Sequence, residues 1–392
     1  MLTRRTFLSA AAATAATFAR LPELRAAEYD LLVKGGRVMD PSRKFDQIAD
    51  VGIRGGKIAV VQTNIAPSSA AETIDASGKL VVPGLIDIHT HAGREKEDGA
   101  LCLADGVTSL VDAGSQGSDR IDEVVAVAKA APNRMRVLIN LSKKGIIAEG
   151  DLMDLANVDV AATRAAIERH RDVIVGIKAR LSKNVAGNND LEALKRAQSV
   201  AQPLGVPIMI HMGQTVSPLP ALLAILKPGD IVTHMYAPPP NGIFDDSGKL
   251  LPAVADARKR GIWFDFGNGR VDHFTWAIVE HAMQARVFPD TISTDWGQAA
   301  RTDQVFNFAT VLSKLLMVGM PLDRVIACAT STAASTFPAF KGLGTLRVGS
   351  PADVAVMDIQ QGSFDFEDNY KGKRTGKVKL VTTGTIFNGR RV

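Results

Sequence analysis

Pro83-Gly84-Leu85-Ile86-Asp87-Ile88-His89-Thr90-His91 is an apolar run that turns polar at alternate positions toward its end. Successive side chains of a strand point to opposite faces, so Asp87, His89 and His91 share one face. Two imidazoles two residues apart can grip one metal ion from the same side. A His-x-His pair also arises by chance on surface strands, so this one takes its meaning from what surrounds it.

Working outward, eight short apolar runs follow one another: Leu80–Ile88, Thr108–Ala113, Arg136–Leu141, Ile174–Ala179, Pro207–His211, Ile231–Met235, Ile262–Phe266 and Thr291–Thr294. Helical stretches such as Ile121–Ala131, Ala161–Arg171 and Leu191–Gln202 lie between them. Strands alternating with helices predict a parallel α/β arrangement, and eight units favour a closed (β/α)8 TIM barrel over an open sheet. Reactive residues should then gather at the C-terminal ends of the strands.

They do gather there along the sequence. The fourth run contains Lys178 in Gly176-Ile177-Lys178-Ala179-Arg180, and a lysine inside an apolar strand is costly unless it is paired, neutral or modified. The fifth ends at His211, the sixth reaches His234, and the eighth leads into Asp295. Alone, His211 or His234 reads equally as a core histidine, and Asp295 as a helix cap. Six ligand-capable residues on five strand ends form a set. Of the other histidines, His170 and His281 lie in helical stretches and read as structural. His273, beside a glycine-rich strand end, is a candidate substrate contact.

The flanks have a different texture. Glycine-punctuated β-rich runs occupy residues 28–80 and return in 343–392, predicting a small β-sandwich domain built from both termini around a barrel of residues 81–342. Residues 1–27 read as a signal peptide: Arg4 and Arg5, then an alanine-rich apolar stretch from Phe7 to Phe18, then Ala26-Ala27. That stretch is too short to span a bilayer, so no stable membrane anchor is expected. Four arginines and one glutamate lie in the segment, so the formal charge falls from +5 to +2 without it. No basic stripe remains to suggest nucleic acid. At 392 residues, 46% hydrophobic and 22% charged, the chain can build a barrel of about 250 residues plus an accessory domain. Cys102 and Cys328 sit in apolar surroundings and read as core thiols.

The set His89, His91, Lys178, His211, His234 and Asp295 resembles the pattern of the amidohydrolase superfamily, the group containing dihydroorotase, D-aminoacylase, phosphotriesterase and urease. The stretch Gly344-Thr345-Leu346-Arg347-Val348-Gly349-Ser350-Pro351-Ala352-Asp353 belongs to the same likeness, which runs from Tyr29 to Val392. Gly176–Arg180 and Val111-Asp112-Ala113-Gly114-Ser115 are similar to a dihydroorotase-like branch of amidohydrolase/deacetylase proteins. The resemblance implies a binuclear metal-dependent hydrolase. His89, His91 and Asp295 would hold one divalent ion and His211 and His234 the other. Lys178, carboxylated by CO2, would bridge them as a carbamate. Zinc leads among the candidates for imidazole and carboxylate ligands. The attacking group would be a water activated between the ions, with Asp295 taking its proton.

Arg94 and Arg180, just past His91 and Lys178, are candidates for clamping a substrate carboxylate, and Tyr236 for donating to the substrate carbonyl. Asp87 reads as an acceptor for a ligand imidazole. The expected reaction is deacylation, at an amide or ester, of a small acylated amino or hydroxy acid. A cyclic-amide hydrolase resembling dihydroorotase or hydantoinase is the alternative, and the intact ligand set argues against a non-catalytic scaffold. Thr3-Arg4-Arg5-Thr6-Phe7-Leu8 resembles a twin-arginine export signal, implying a periplasmic or secreted enzyme. Homo-oligomerisation is left open.

Overall fold

The computed structural model describes residues 27–147, 150–297 and 307–392, so the expected export segment lies outside the described residues apart from its last position. Two sheets organise the described residues. In the first, β1 (Tyr29–Asp40) pairs antiparallel with β2 (Phe45–Arg54), which pairs with β3 (Lys57–Gln62). Along its other edge β1 changes partner, running parallel to β4 (Ala70–Asp75) and then to β5 (Leu80–Pro83). The change falls at Gly35-Gly36, where the register against β2 also shifts. β5 then pairs with β13 (Val354–Glu367), β13 with β14 (Lys373–Phe387), and β14 with β15 (Arg390–Arg391). Both termini therefore contribute, but to one continuous eight-stranded mixed sheet and not to two separate sheets of a sandwich. Leu31, Val33, Val51, Ile53, Val81, Val356 and Ile386 form its own apolar core.

The second sheet is wholly parallel, in the order β6 (Leu85–Thr90), β7 (Val107–Ala113), β8 (Arg134–Asn140), β9 (Ile174–Arg180), β10 (Ile208–His211), β11 (Ile231–Thr233) and β12 (Trp263–Phe264). Its strands are apolar almost throughout because helices pack over the sheet, and strands of this kind are buried on both faces. The helix Asp190–Leu204 illustrates the covering layer. It buries Ala193, Leu194, Ala197, Val200 and Ala201, one face at helical spacing, and ends at Gly205 in the left-handed conformation. The helix Val160–Arg169 starts where the Asp159 side chain accepts the Ala162 N–H.

Two sequence expectations change here. The first apolar run is not one strand: Leu80–Pro83 belongs to the mixed sheet and Leu85–Thr90 to the parallel one, with Gly84 between. A Cβ on Gly84 would lie 2.3 Å from Thr108 Oγ1, so only glycine lets the chain cross so close to β7. An unbroken apolar pattern does not mark where a chain changes sheet. The eighth run, Thr291–Thr294, supplies single bridges and not a regular strand, so the parallel sheet has seven strands. On one side Phe266 N–H donates to Thr291 O (2.9 Å) and Asn268 N–H to Ser293 O (3.0 Å). On the other, Asp295 N–H donates to His89 O (2.7 Å) and His91 N–H to Trp296 O (2.6 Å). The segment thus links the end of the last strand to the first. Among the described residues no helix is long and apolar enough to cross a membrane.

Candidate functional site

Because the seven strands are parallel, their C-terminal ends open on the same side, and a cavity of about 400 Å3 sits there. His89, His91, Lys178, His211, His234 and Asp295 all line it, together with His273. Register explains part of this convergence: Lys178 lies level with Asn140 on β8 and Met209 on β10, and His211 lies level with Thr233 on β11. The backbone bends at two of the six. His234 has φ 64° and Asp295 φ 54°, a left-handed conformation costly for residues with a Cβ and one that recurs at functional sites.

Distances within the set are short. Lys178 Nζ is 3.0 Å from His89 Nε2, and Asp295 Oδ1 is 3.2 Å from both His89 Nε2 and His91 Nε2. The rings of His211 and His234 lie 4.4 Å apart, and those of His234 and His273 stack at 3.8 Å and 13°. The ligand atoms of His89, His234 and Asp295 all lie within 4.8 Å of one another, as do those of His211, His234 and His273.

The outer nitrogens decide what the inner ones can do. Thr233 donates its hydroxyl to Asp265 Oδ2 (2.7 Å), so its oxygen accepts from His89 Nδ1 (2.9 Å). Ser115 donates to Asp112 Oδ2 (2.6 Å) and so accepts from His91 Nδ1 (3.0 Å). His234 Nδ1 donates to Gly267 O (2.7 Å), which can only accept. Each of these three rings has its proton on Nδ1, and each presents a bare lone pair at Nε2 to the cavity. Burial, followed by the nearby Lys178 charge, pushes His89 down to about 3, and burial first of all holds His211 and His234 well below the usual range, so the rings stay neutral. Two such lone pairs and a carboxylate oxygen within 3.2 Å repel one another unless a cation lies among them. The donor set therefore fits divalent metal ions with imidazole and carboxylate preferences.

Lys178, only 1% exposed, has its ammonium pushed down to about 7 by burial. Asp265, which orients His89 through Thr233, also accepts from the Thr291 and Ser293 hydroxyls, and burial raises it to about 6. Sequence reading missed Asp265, Asp112, Thr233 and Ser115 as supports. A lone acid within the apolar run Ile262–Phe266 was the available signal for the first of them.

Several other expectations are redirected. Tyr236 does not face the cavity: it is fully buried, packs beside Phe266 and donates its hydroxyl to Val287 O (2.8 Å). The left-handed turn at His234 breaks the strand alternation on which its placement depended. Asp87 touches no imidazole and instead ties β6 to the eighth run, accepting the His89 N–H (3.1 Å), the Thr294 N–H (3.2 Å) and the Thr294 hydroxyl (2.6 Å). Burial lifts it to about 8 in spite of these donors. Arg94 and Arg180 both line the cavity, with Arg180 paired to Asp151 at 2.6 Å. His170 pairs with Asp122, His281 with Gly248 O, and Cys102 and Cys328 are buried free thiols.

No family model matches the chain. A protein named deacetylase from Enterococcus faecalis is 32% identical over 372 residues, covering 93% of this chain and 99% of that protein. A solved structure described as an adenine deaminase superposes with a TM-score of 0.84 at 31% identity, over 93% of this chain and 99% of that one. A solved dihydroorotase gives a TM-score of 0.81 at 26% identity, over 92% and 97%.

Proposed function

This chain belongs to the amidohydrolase superfamily, and from that premise we propose that it deacylates a small acylated amino or hydroxy acid by metal-assisted hydrolysis. The observation that carries the reading is the convergence of bare imidazole nitrogens, Lys178 and Asp295 on one cavity at the strand ends. The name of the Enterococcus faecalis relative, matched along nearly its whole length, favours deacylation.

In this reading His89, His91 and Asp295 would hold one divalent ion, zinc by preference, and His211 and His234 would hold a second. The Lys178 amine, kept neutral by burial, would add CO2 with loss of a proton and so supply a carbamate oxygen as a further ligand. Bound ions of this kind supply Lewis acidity and bring the pKa of a water from 15.7 toward 7. Asp295 takes the proton from the attacking water and delivers it to the leaving nitrogen or oxygen. Arg94 and Arg180 line the same cavity as these groups and bind the substrate carboxylate. Asp112, Ser115, Thr233 and Asp265 keep the imidazoles in the tautomer that binds metal. The Arg4-Arg5 start supports export to the periplasm or beyond, and changing both to lysine should retain the enzyme in the cell.

A cyclic-amide hydrolase is the second reading, favoured by the dihydroorotase structure. A chain beginning at Glu28, loaded with each divalent ion in bicarbonate buffer and offered acetylated amino acids, acetylated hydroxy acids and cyclic amides, separates the two. Release of acetate supports deacylation, ring opening alone supports the second reading, and turnover of neither class rejects both.

A further inference from the structure

The hairpin of β13 and β14 belongs to the mixed sheet, yet its tip reaches the rim of the cavity. Asn369, in that tip, accepts through Oδ1 the backbone N–H groups of His273 (3.0 Å) and Phe274 (3.1 Å) and donates from Nδ2 to Gly269 O (3.1 Å). One side chain thus holds both ends of the segment Gly269–Phe274. The tip is itself well tied. Asp368 accepts the backbone N–H groups of Trp276 (3.0 Å), Tyr370 (2.9 Å) and Gly372 (2.8 Å), and Trp276 Nε1 donates to Gly372 O (2.8 Å).

The held segment carries His273. Its imidazole lines the cavity and stacks on His234, while its Nδ1, 3.6 Å from Asp295 Oδ2, is buried without a hydrogen-bond partner. Gly269 has φ 57°, and a Cβ there would lie 1.6 Å from His273 Nδ1, so the ring rests directly on the backbone that Asn369 grips. Nδ1 is thus sealed between Gly269 and Asp295, and the part of the ring that stays exposed faces the cavity, where it can meet whatever binds there.

We propose that His273 contacts the bound substrate with the edge of the ring that it exposes to the cavity and that Asn369, from the accessory sheet, is the positioning residue that holds it there. The inference rests on the hydrolytic reading above and adds to it that the C-terminal hairpin is a working part of the active site.

The test is a double-mutant cycle on the zinc-loaded protein with Asn369→Ala, His273→Ala and the pair. It is read on kcat/KM, on the dissociation constant of N-methanesulfonylglycine, an analogue of acetylglycine with no cleavable amide, and on zinc content. Each single variant should lose at least about tenfold in both activity and probe affinity with zinc content unchanged. The double variant should lose no more than the worse single one, because both remove the same contact. Asn369→Asp keeps an oxygen for the two N–H groups but sets another against Gly269 O in place of the Nδ2 donor, so it should recover only part of the loss. A change under twofold in Asn369→Ala, losses that multiply in the double variant, or zinc that departs with His273 would each overturn the proposal. If the wild type hydrolyses none of the acyl acids, the proposed reaction fails, while the cycle still reads His273 and Asn369 through probe affinity.

Discussion

Lys178 and Lys314 are both sealed from solvent, 1% and 8% exposed, and burial drives both ammonium groups down, to about 7 and about 8. Their surroundings differ. Lys178 Nζ faces the lone pair of His89 Nε2 at 3.0 Å and lines a cavity open to small molecules. Lys314 Nζ donates to Asn268 Oδ1 at 2.9 Å and lies 5.1 Å from the centre of the Phe274 ring. One amine sits among imidazole and carboxylate groups suited to holding metal ions, and the other is already satisfied by an amide oxygen and an aromatic face. A depressed amine is therefore not by itself a mark of chemistry, since what lies within reach of its lone pair decides what it can do.

The largest effect expected from this contrast is on turnover. Lys178→Met should reduce hydrolysis to background, while Lys314→Met should keep activity within about tenfold, because Lys314 reaches the site only indirectly, through Asn268 and Phe274. Steady-state rates for both variants check this, and equal losses would erase the distinction. Next comes Asp295→Asn, expected to lower kcat by roughly 10²–10⁴-fold as a proton carrier would. Zinc analysis of the same preparation should show most of the metal retained. If metal and activity vanish together, Asp295 serves as a ligand alone.

Smaller again is Thr233→Val, which leaves His89 Nδ1 without its hydroxyl acceptor. It should weaken zinc binding roughly 10–100-fold in a competition titration with a chelator.

The last effect concerns stability and leaves turnover at neutral pH aside. The folded-state pKa of Lys314 lies below its unfolded value of 10.5. Between about pH 8 and 10.5 the unfolded chain therefore holds a proton that the folded chain has released, and stability rises with pH across that window. Relative to Lys314→Met the wild type should gain about 1.4 kcal/mol per pH unit there and nothing below pH 7. Denaturant titrations at pH 7, 8, 9 and 10 measure it, and parallel curves for the two proteins would show that Lys314 is not desolvated.

Much of the site was legible along the chain because its residues break a pattern. A lysine in Ile174–Ala179, histidines closing the fifth and sixth runs and an aspartate after Thr294 are polar where strand burial favours apolar side chains, so each is visible alone. Tyr236 was misplaced by the same logic, since alternation holds only while the backbone stays extended and His234 leaves that conformation. The division at Gly84 was invisible because strands of both sheets are equally apolar there. Asn369 carries no local signal: an asparagine in a turn is ordinary, and its partners at Gly269, His273 and Phe274 are about a hundred positions away.

The amino-acid order by itself determined the alternation of strands and helices, the β-rich ends and the six ligand-capable residues, because periodicity and side-chain chemistry act over a few neighbouring positions. Only the tertiary structure decided which nitrogen carries the proton in His89, His91 and His234, that the eighth run bridges without forming a strand, and that a hairpin from the other sheet grips the His273 segment. Those outcomes depend on hydrogen bonds between residues far apart in the chain, whose geometry exists only once the backbone has folded.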